Sequence, residues 1–325
     1  MTAGVHHHAV RVPATTANLG PGFDAFGLAL DRHLVVCSRP REEQAARVVA
    51  AGEGVGEIAD DDENLVWRAL VTFCEHHGVA VPDVGLVTHS EVPLERGMGS
   101  SSAAIVAGLV LGRALTGVPA GDRELVALGD RLEGHPDNVA PALLGGLVAC
   151  ARDAGGALVV RRINPAPGLR PLLLVPEHRQ ATAEARSVLP ASLPRADVAS
   201  QAARAAHVLV GMTGAWPVDA SVAIDLVHEP ARLQVMAPTA RVLHALRDAG
   251  VQAWLSGAGP SVGLMVPRTS SGVEGIAEIA AELGAREGFG LLEVDVQLAG
   301  AITCPDGGCG VAGGSECVQC PRRRV

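Results

Sequence analysis

Lysine is absent from this sequence of 325 residues, and all 26 of its basic side chains are arginine. A Walker A loop needs a lysine at the phosphates, and a protein kinase needs a lysine on a strand beside the nucleotide. An enzyme that uses pyridoxal phosphate needs a lysine for its Schiff base. These three classes are therefore excluded. Any bound phosphate must be held by backbone N–H groups, a helix dipole, arginine or a metal ion.

The sequence also lacks long apolar runs and a secretion signal. No stretch of about 18 or more apolar residues without charge is present, which argues against a membrane span. The N-terminal segment has no basic region followed by an apolar core, so it does not resemble a signal peptide. The net charge is −9, and no basic patch suited to nucleic acid stands out. We therefore expect a cytoplasmic protein with no membrane or nucleic-acid partner.

The cysteines and the histidine run are the candidate metal ligands of the chain. Cys37, Cys74 and Cys150 lie in apolar surroundings and are interpreted as small buried side chains. Four more cysteines crowd the last 22 residues with the spacing C-x4-C-x7-C-x2-C, which favours either a flexible tail or a zinc site. Three consecutive histidines at 6–8 indicate either a solvated segment or adventitious metal binding.

Segments with strand and helix character alternate along the chain, which predicts an α/β or α+β protein. Apolar spacing predicts helices at 64–78, 121–134, 195–213 and 237–249, and strands at 84–93 and 169–177. Prolines and glycine near residues 163–170 indicate a boundary. We therefore expect an N-terminal domain over 1–165, a C-terminal domain over 166–299 and a flexible tail rich in cysteine and glycine over 300–325.

The segment "GMGSSS" at 97–102 precedes a strongly apolar helix. Gly97 and Gly99 allow the backbone to approach a ligand closely, and the free N–H groups at a helix start bind anions. A serine hydroxyl there can also reach a magnesium ion. The alternative is an ordinary helix start, because serine is a favoured N-cap residue. This segment alone favours neither interpretation.

Two further glycine-rich loops and one acidic motif change that balance. They are "PATTANLGPGFDAFGLAL" (13–30), "LSGAGPSVG" (255–263) and "EGHPDN" (133–138). The two loops and "PLERGMGSSSAA" (93–104) resemble the three motifs of the GHMP small-molecule kinases, and "EGHPDN" adds to this resemblance. Within that superfamily, "TAEARSVLP" and "HEPAR" make the chain most similar to the homoserine kinases, over roughly residues 10–298.

The resemblance implies an α+β fold with two domains, of which the N-terminal one is S5-like and the C-terminal one is ferredoxin-like. It implies that Asn64 lies near the adenine, although a polar residue at a helix start is the alternative. Ser101 and Glu133 would hold Mg²⁺, a role for which Asp137 competes and which suits oxygen donors. The residues that the resemblance assigns to the triphosphate of ATP are Pro93, Leu94, Glu95, Arg96, Gly97, Met98, Gly99, Ser100, Ser101, Ser102 and Ala103.

The substrate implied by the resemblance is L-homoserine, which carries an ammonium, a carboxylate and a hydroxyl group. Asp24 would bind the ammonium, and Asn18 and Asn138 would hydrogen-bond the polar groups. Arg186 and Arg232 would clamp the carboxylate, which suits the planar guanidinium. Further candidates for substrate binding are Thr182 and His135, and a structural loop histidine is the alternative for the second of these.

The implied mechanism has no obvious general base. Some members of the superfamily use an aspartate where this chain has Asn138, and an amide does not accept a proton usefully. Transfer would then depend on alignment and charge neutralisation, with Asn138 and Arg186 as the catalytic residues. The chain departs from the homoserine kinase pattern at Ser102 and at Gln201. A kinase for another small hydroxylated compound and a non-catalytic ligand sensor are the alternatives, and relatives lead us to expect a homodimer.

Overall fold

The structure is a computed structural model that describes residues 8–41, 45–180, 182–214, 218–268 and 270–304, with only the backbone of 182, 183 and 270–274. It contains both helices and sheets, and the two kinds of element are not in strict alternation. Most of the candidate zinc ligands at the two termini lie outside the described residues. These are the tail cysteines at 309, 317 and 320 and the histidines at 6 and 7.

Two sheets form the framework of the protein. The strands are β1 (Ala9–Ala17), β2 (Phe26–Pro40), β3 (Val48–Gly52), β4 (Val84–Ser90), β5 (Leu147–Arg152), β6 (Leu158–Ile163), β7 (Leu169–Pro176), β8 (Gln252–Leu255), β9 (Val262–Pro267), β10 (Phe289–Glu293) and β11 (Ile302–Cys304). The first sheet has seven strands in the order β11-β1-β2-β4-β3, and β5 pairs with β2 and with β6. The second has the order β10-β7-β9-β8. All pairs are antiparallel except β3 with β4.

The helices lie between these strands in sequence. They are α1 (Leu65–His77), α2 (Ser100–Thr116), α3 (Asp122–Glu133), α4 (Pro136–Leu144), α5 (Thr182–Ser187), α6 (Arg195–Met212), α7 (Glu229–Val235), α8 (Ala237–Asp248) and α9 (Ser270–Arg286). The predicted helices at 64–78, 121–134, 195–213 and 237–249 are confirmed to within two residues at each end. Because the segregated sheets are mainly antiparallel, the α+β alternative is the correct one.

Each sheet has its own hydrophobic core. Helix α2 is apolar on most of its surface, as expected, and it packs between α1 and the first sheet. Helices α8 and α9 cover the second sheet with side chains such as Leu243 and Leu246. These two cores account for the apolar segments of α2 and β7, since a helix buried on several faces and a central strand both contain few polar residues.

A third cluster joins the two sheets. It contains Leu28 and Leu147 from the first sheet and Leu173 and Trp254 from the second, all buried. The indole nitrogen of Trp254 donates to Thr16 Oγ1 over 3.0 Å across this junction. The apolar contact and the hydrogen bond hold the sheets together, and so they fix the loops that lie at their shared edge.

The proposed division at residues 165/166 falls between β6 of the first sheet and β7 of the second. The chain returns to the first sheet near its end, because β11 pairs with β1 and Val296 forms a bridge with Leu30. The first residues of the predicted tail therefore form a strand, and 305–325 lie outside the described residues. Among the helices of the described residues, none has the length and apolar character needed to cross a membrane.

Candidate active site

The three glycine-rich loops of the sequence meet where the two sheets join. Asn18, after β1, donates through Nδ2 to the carbonyl of Gly257 over 2.8 Å. Ser256 donates to the carbonyl of Gly97 over 2.6 Å, and its hydroxyl lies 2.8 Å from that of Thr16. The loops after β1, β4 and β8 are therefore bound to one another by buried hydrogen bonds. These hydrogen bonds join residues that are up to 240 positions apart in the sequence.

Glycine is required at two positions of the loop before α2. Gly97 has φ +69°, and a Cβ there would lie 2.1 Å from the carbonyl oxygen of Ser256. Gly99 has φ +68°, and a Cβ there would lie 1.9 Å from Thr15 Oγ1. Any larger residue at these positions would push the loop away from its neighbours, so the loop can take this path only with glycine.

The start of α2 carries no side-chain cap. Its N-cap residue is Gly99, and within the described residues the helix start has no side-chain cap hydrogen bond. The interpretation of the serines as ordinary capping residues is therefore wrong. A helix start with free N–H groups is suited to an anion, because the helix dipole adds partial positive charge there.

A large cleft lies on one side of this loop, with an empty volume of about 1160 Å³ that includes open solvent. Its walls include Glu57, Asn64, Leu94, Glu95, Ser100 and Ser101. Asn64 is the N-cap of α1: its Oδ1 accepts from Val66 N over 3.0 Å, and its Nδ2 donates to Ala59 O over 2.7 Å. The structure thus gives Asn64 the helix-start role that the sequence left as its alternative, at the wall of a cleft large enough for a nucleotide.

A small cleft lies on the other side of the loop, with an empty volume of about 520 Å³. It is lined by Asp24, Glu133, His135, Asn138, Arg186 and Arg232, among others. Glu95, Ser100 and Ser101 line both clefts. A group bound at the start of α2 would therefore be accessible from both clefts.

Glu133 and two of the serines are in direct contact. Ser101 and Ser102 both donate to Oε1 of Glu133, over 2.6 and 3.0 Å. Glu133 is the last residue of α3, and the turn at Gly134 directs the chain into α4. Ser101 is exposed to both clefts, whereas Ser102 is fully buried. The extra serine, Ser102, thus helps to orient the Glu133 carboxylate from the buried side.

Asp24 and Arg186 form an ion pair across the small cleft. The guanidinium donates to both carboxylate oxygens, over 2.7 and 3.2 Å, and both side chains are about one third exposed. The backbone N–H of Asp24 donates to Oδ1 of Asn18 over 3.3 Å. The two groups expected to bind opposite charges of one substrate are paired with each other, so such a substrate would have to replace this pair.

Arg232 is 2 % exposed and is held by three acceptors. Its Nε donates to the carbonyl of Ala185 over 3.1 Å, and its Nη1 donates to the carbonyl of Gly257 and to Nδ1 of His228, over 3.0 and 3.1 Å. Burial and the positive charge of Arg186 lower the pKa of Arg232 to about 10, so the guanidinium stays charged at neutral pH. A positive charge fixed in this way is suited to a carboxylate in the cleft.

Helix α7, which carries Arg232, is anchored by a buried carboxylate. Oδ2 of Asp225 accepts from the backbone N–H groups of Val227, His228 and Glu229. Burial, followed by the charge of Arg232, lowers the pKa of His228 well below its usual value. The imidazole is therefore neutral, and its Nδ1 is free to accept from Arg232.

The side-chain amide of Asn138 has a fixed orientation. Thr15 Oγ1 donates to Asn138 Oδ1 over 2.7 Å, and Asn138 Nδ2 donates to Oδ1 of Asp137 over 3.5 Å, which leaves one N–H of the amide for a ligand. Asp137 lies next to it and contacts Nδ1 of His135 over 2.5 Å. Burial alone would lower the pKa of His135, but the hydrogen bond and charge of Asp137, with Glu133, outweigh it and leave that pKa raised.

Several residues that the sequence assigned to the triphosphate have side chains engaged elsewhere. Arg96 donates to the carbonyls of Pro176 and Glu177. Met98 and Ala103 are buried in the cores. Pro93 precedes the residues that line the clefts. These residues could contact a ligand only through their backbone or through the loop they support. The side chain of Thr182, the first residue of α5, lies outside the described part of the chain.

Sequence reasoning missed Phe23, which lies beside the positive groups of the small cleft. Its ring stacks on His228 at a centroid distance of 5.1 Å, and the guanidinium carbons of Arg232 and Arg186 lie 5.4 and 5.7 Å from its centre. Its position in "GPGFD", next to Asp24, was the signal that could have identified it. Gln201, the second departure, is structural: its Nε2 donates to Pro21 O and Asp225 Oδ1.

Comparison with known proteins adds independent information. The family described as GHMP kinases N terminal domain matches residues 64–146. A homoserine kinase of Moorella thermoacetica is 42% identical over 255 residues, covering 78% of this chain and 85% of that protein. One of Leifsonia xyli is 43% identical over 260 residues, covering 78% and 79%. A crystal structure of homoserine kinase from Cytophaga hutchinsonii superimposes with a TM-score of 0.78 at 24% identity, covering 94% and 99%, and shares the fold.

Proposed function

The chain belongs to the homoserine kinase family of the GHMP kinases, and from this premise we propose that it transfers the γ-phosphoryl group of ATP to the hydroxyl of L-homoserine. The product is O-phospho-L-homoserine, an intermediate of threonine biosynthesis. The single observation that carries the proposal is the arrangement of two clefts around one uncapped helix start. One cleft has room for a nucleotide, and the other contains paired positive and negative groups suited to a small zwitterion.

The nucleotide is proposed to lie in the large cleft, with its triphosphate at the start of α2. The backbone N–H groups after Gly99 are proposed to supply the hydrogen bonds to phosphate that a lysine supplies in other kinases. The ribose and base would extend along the cleft toward Asn64. The side-chain amide of Asn64 is already bound to the backbone, so its contribution is to hold the start of α1 as a wall of the cleft.

Ser101 and Glu133 fit a magnesium ion. Their oxygens converge at 2.6 Å between the clefts, and a hydroxyl with a carboxylate is a donor set that Mg²⁺ accepts together with phosphate oxygens. When bound, the ion neutralises negative charge on the phosphates. The residues of the chain hold this place ready, because Ser102 keeps the Glu133 carboxylate turned toward Ser101.

The amino acid is proposed to bind in the small cleft by replacing the ion pair between Asp24 and Arg186. Its ammonium would take the place of the guanidinium at Asp24, and its carboxylate would take the place of the carboxylate at Arg186. Arg232 supplies a second, permanently held positive charge for the same carboxylate. Because Asp24 and Arg186 each exchange one charged partner for another, the zwitterion can enter without leaving a charge of the cleft unpaired.

The hydroxyl is proposed to be aligned by Asn138, which lines the small cleft and whose amide is held by Thr15 at Oδ1 and by Asp137 at Nδ2. An amide in this orientation donates a hydrogen bond and accepts no proton. His135 is held by Asp137, whose hydrogen bond and charge raise the pKa of the imidazole. Transfer then depends on in-line alignment and charge neutralisation, and the hydroxyl proton passes late to an oxygen of the transferred phosphoryl group, as suits a loose transition state.

The test is turnover by the purified protein. With ATP, Mg²⁺ and L-homoserine we expect ADP and a phosphorylated amino acid, whereas L-serine, mevalonate and galactose should give rates near background. Absence of turnover with every acceptor would contradict the proposal and favour a ligand sensor. Turnover with a different acceptor would retain the kinase but change its substrate.

A further inference from the structure

Three potential metal ligands meet outside both clefts, where the last turn of α1 approaches the first turn of α3. They are His76 and His77 at the end of α1 and Glu124 at the start of α3. One ligand atom from each lies within 4.8 Å of the other two. The phosphotransfer reaction proposed above makes no use of this cluster.

The distances within the cluster suit a tetrahedral ion. Nε2 of His76 lies 3.3 Å from Oε1 of Glu124, and Nε2 of His77 lies 3.5 Å from the same oxygen. Zinc bonds of about 2.0–2.1 Å at tetrahedral angles place neighbouring ligand atoms about 3.3 Å apart. Both imidazoles therefore lie at nearly the distance from the Glu124 oxygen that a shared ion requires, and the ligand atoms of the two imidazoles lie within 4.8 Å of each other.

Hydrogen bonding explains these contacts less well. An N–H···O bond normally measures about 2.7–3.2 Å between the heavy atoms, and both contacts are longer than that. Nε2 of His77 is buried and, within the described residues, has no hydrogen-bond partner. A buried imidazole nitrogen directed at a carboxylate and left without a hydrogen bond is a ligand position that an ion would satisfy.

The three side chains also differ in exposure in the way a site requires. The ring of His77 packs on the fully buried Phe73, at a centroid distance of 4.4 Å, and its side chain is 15% exposed. His76 lies edge-on to His77 and is 42% exposed, and Glu124 is 38% exposed. One ligand is thus fixed by the core, and the other two leave a route for the ion from solvent.

We propose that His76, His77 and Glu124 form a binding site for one divalent transition-metal ion of the zinc type. Two imidazoles and one carboxylate match the ligands that zinc prefers, whereas magnesium favours oxygen alone. The fourth position faces solvent. The ion connects the end of α1 to the start of α3, and α3 is the helix that ends at Glu133. The site therefore acts as a clamp at the end of α3 opposite to the active site.

The test is a calorimetric titration of the full-length protein with Zn²⁺ in the absence of ATP. Other candidate zinc ligands are first removed in a background variant, which carries His6→Ala, His7→Ala, Cys304→Ser, Cys309→Ser, Cys317→Ser and Cys320→Ser. It also carries His135→Asn, because Asp24, His135 and Asp137 form a second group of candidate ligands in the small cleft. We expect one Zn²⁺ per chain in this background and a rise in its thermal unfolding midpoint. His76→Gln and Glu124→Gln should each weaken binding by more than about tenfold and abolish the rise.

His244→Gln, at an exposed histidine on α8, is the matched control and should leave Zn²⁺ binding unchanged. Equal Zn²⁺ affinity in the background and in His76→Gln, or no binding to the background, would overturn the proposal. Kinase turnover with Mg²⁺ should be the same with and without His76→Gln, because the cluster lies outside both clefts. A protein without kinase activity that binds zinc at this cluster would contradict the proposed function alone.

Discussion

Replacement of Arg232 by methionine should separate recognition of the substrate carboxylate from the phosphotransfer itself. The change keeps an unbranched side chain, although a shorter one, and removes one fixed positive charge of the small cleft. A hydrogen bond to a charged group contributes about 1.5–3 kcal/mol, which corresponds to about a 10- to 150-fold loss of kcat/KM for L-homoserine. The KM for ATP should change little, since Arg232 lines the small cleft and does not line the large one.

The decisive comparison uses 3-aminopropan-1-ol, which is homoserine without its carboxylate. The wild-type protein should prefer homoserine by at least the factor given above, and Arg232→Met should remove most of that preference. The assay is ADP release under steady-state conditions with each acceptor. An equal loss of kcat/KM for both acceptors would refute the reasoning, because it would mean that Arg232 does not face the carboxylate.

Two controls keep the result interpretable. Arg241→Met removes an exposed arginine on α8 that pairs with Glu287 on the surface, and it should leave both rates unchanged. Arg232→Met also removes donors from the buried carbonyls of Ala185 and Gly257, and each lost partner costs about 1–3 kcal/mol. If the variant is too unstable, Arg186→Met tests the same carboxylate from the more exposed side.

Three further predictions concern the loop, the metal ligand and pH. Gly97→Ala should raise the KM for ATP more than about tenfold, because its Cβ would meet the carbonyl of Ser256 at 2.1 Å in addition to the roughly 1–2 kcal/mol cost of a left-handed alanine. Gly78→Ala has the same backbone cost with open space around its Cβ, and should lower only the unfolding midpoint, which thermal scans measure. Glu133→Gln should raise the Mg²⁺ concentration for half-maximal rate by more than about tenfold. Since the pKa of His228 is lowered by folding, unfolding takes up a proton below pH 6.5, and His228 should cost up to about 1.4 kcal/mol of stability per pH unit as the pH falls. His228→Gln should reduce this dependence in denaturant titrations between pH 7.5 and 5.5.

Each of these predictions has a result that contradicts it. Equal KM values for ATP in the two alanine variants would show that the loop does not contact the nucleotide closely. An unchanged Mg²⁺ dependence in Glu133→Gln would remove this residue from the metal site. An identical loss of stability on acidification with and without His228 would mean that the imidazole takes up its proton in the folded state.

The regular elements were predictable because their signals are local. The apolar spacing of α1 and α8, and glycine at the end of α1, are contained in windows of about a dozen residues. The edge strands β3 and β6 and the short helix α7 were missed, since half-exposed edge strands and helices of seven residues carry little periodic signal. Strand β11 lies at the start of a segment whose composition suggested a tail.

The membership of the site was predictable from its motifs, but its internal contacts were not. The pairing of Asp24 with Arg186 joins residues 162 positions apart, and that of Thr15 with Asn138 joins residues 123 apart. Such contacts follow from the way the two sheets pack, which no local pattern contains. Phe23 and His228 contact the arginines through ring and hydrogen-bond interactions and form no ion pairs with them. Residue type alone therefore gave no reason to select them.

The central claim is that an uncapped helix start in a protein without lysine holds the phosphates of ATP beside an amino-acid cleft. A crystal structure with a non-hydrolysable ATP analogue, Mg²⁺ and L-homoserine tests it most directly. The account predicts phosphate oxygens within hydrogen-bonding distance of the backbone nitrogens at 99–101, and the homoserine hydroxyl beside Asn138. A triphosphate bound elsewhere, or a homoserine carboxylate remote from Arg186 and Arg232, would contradict it.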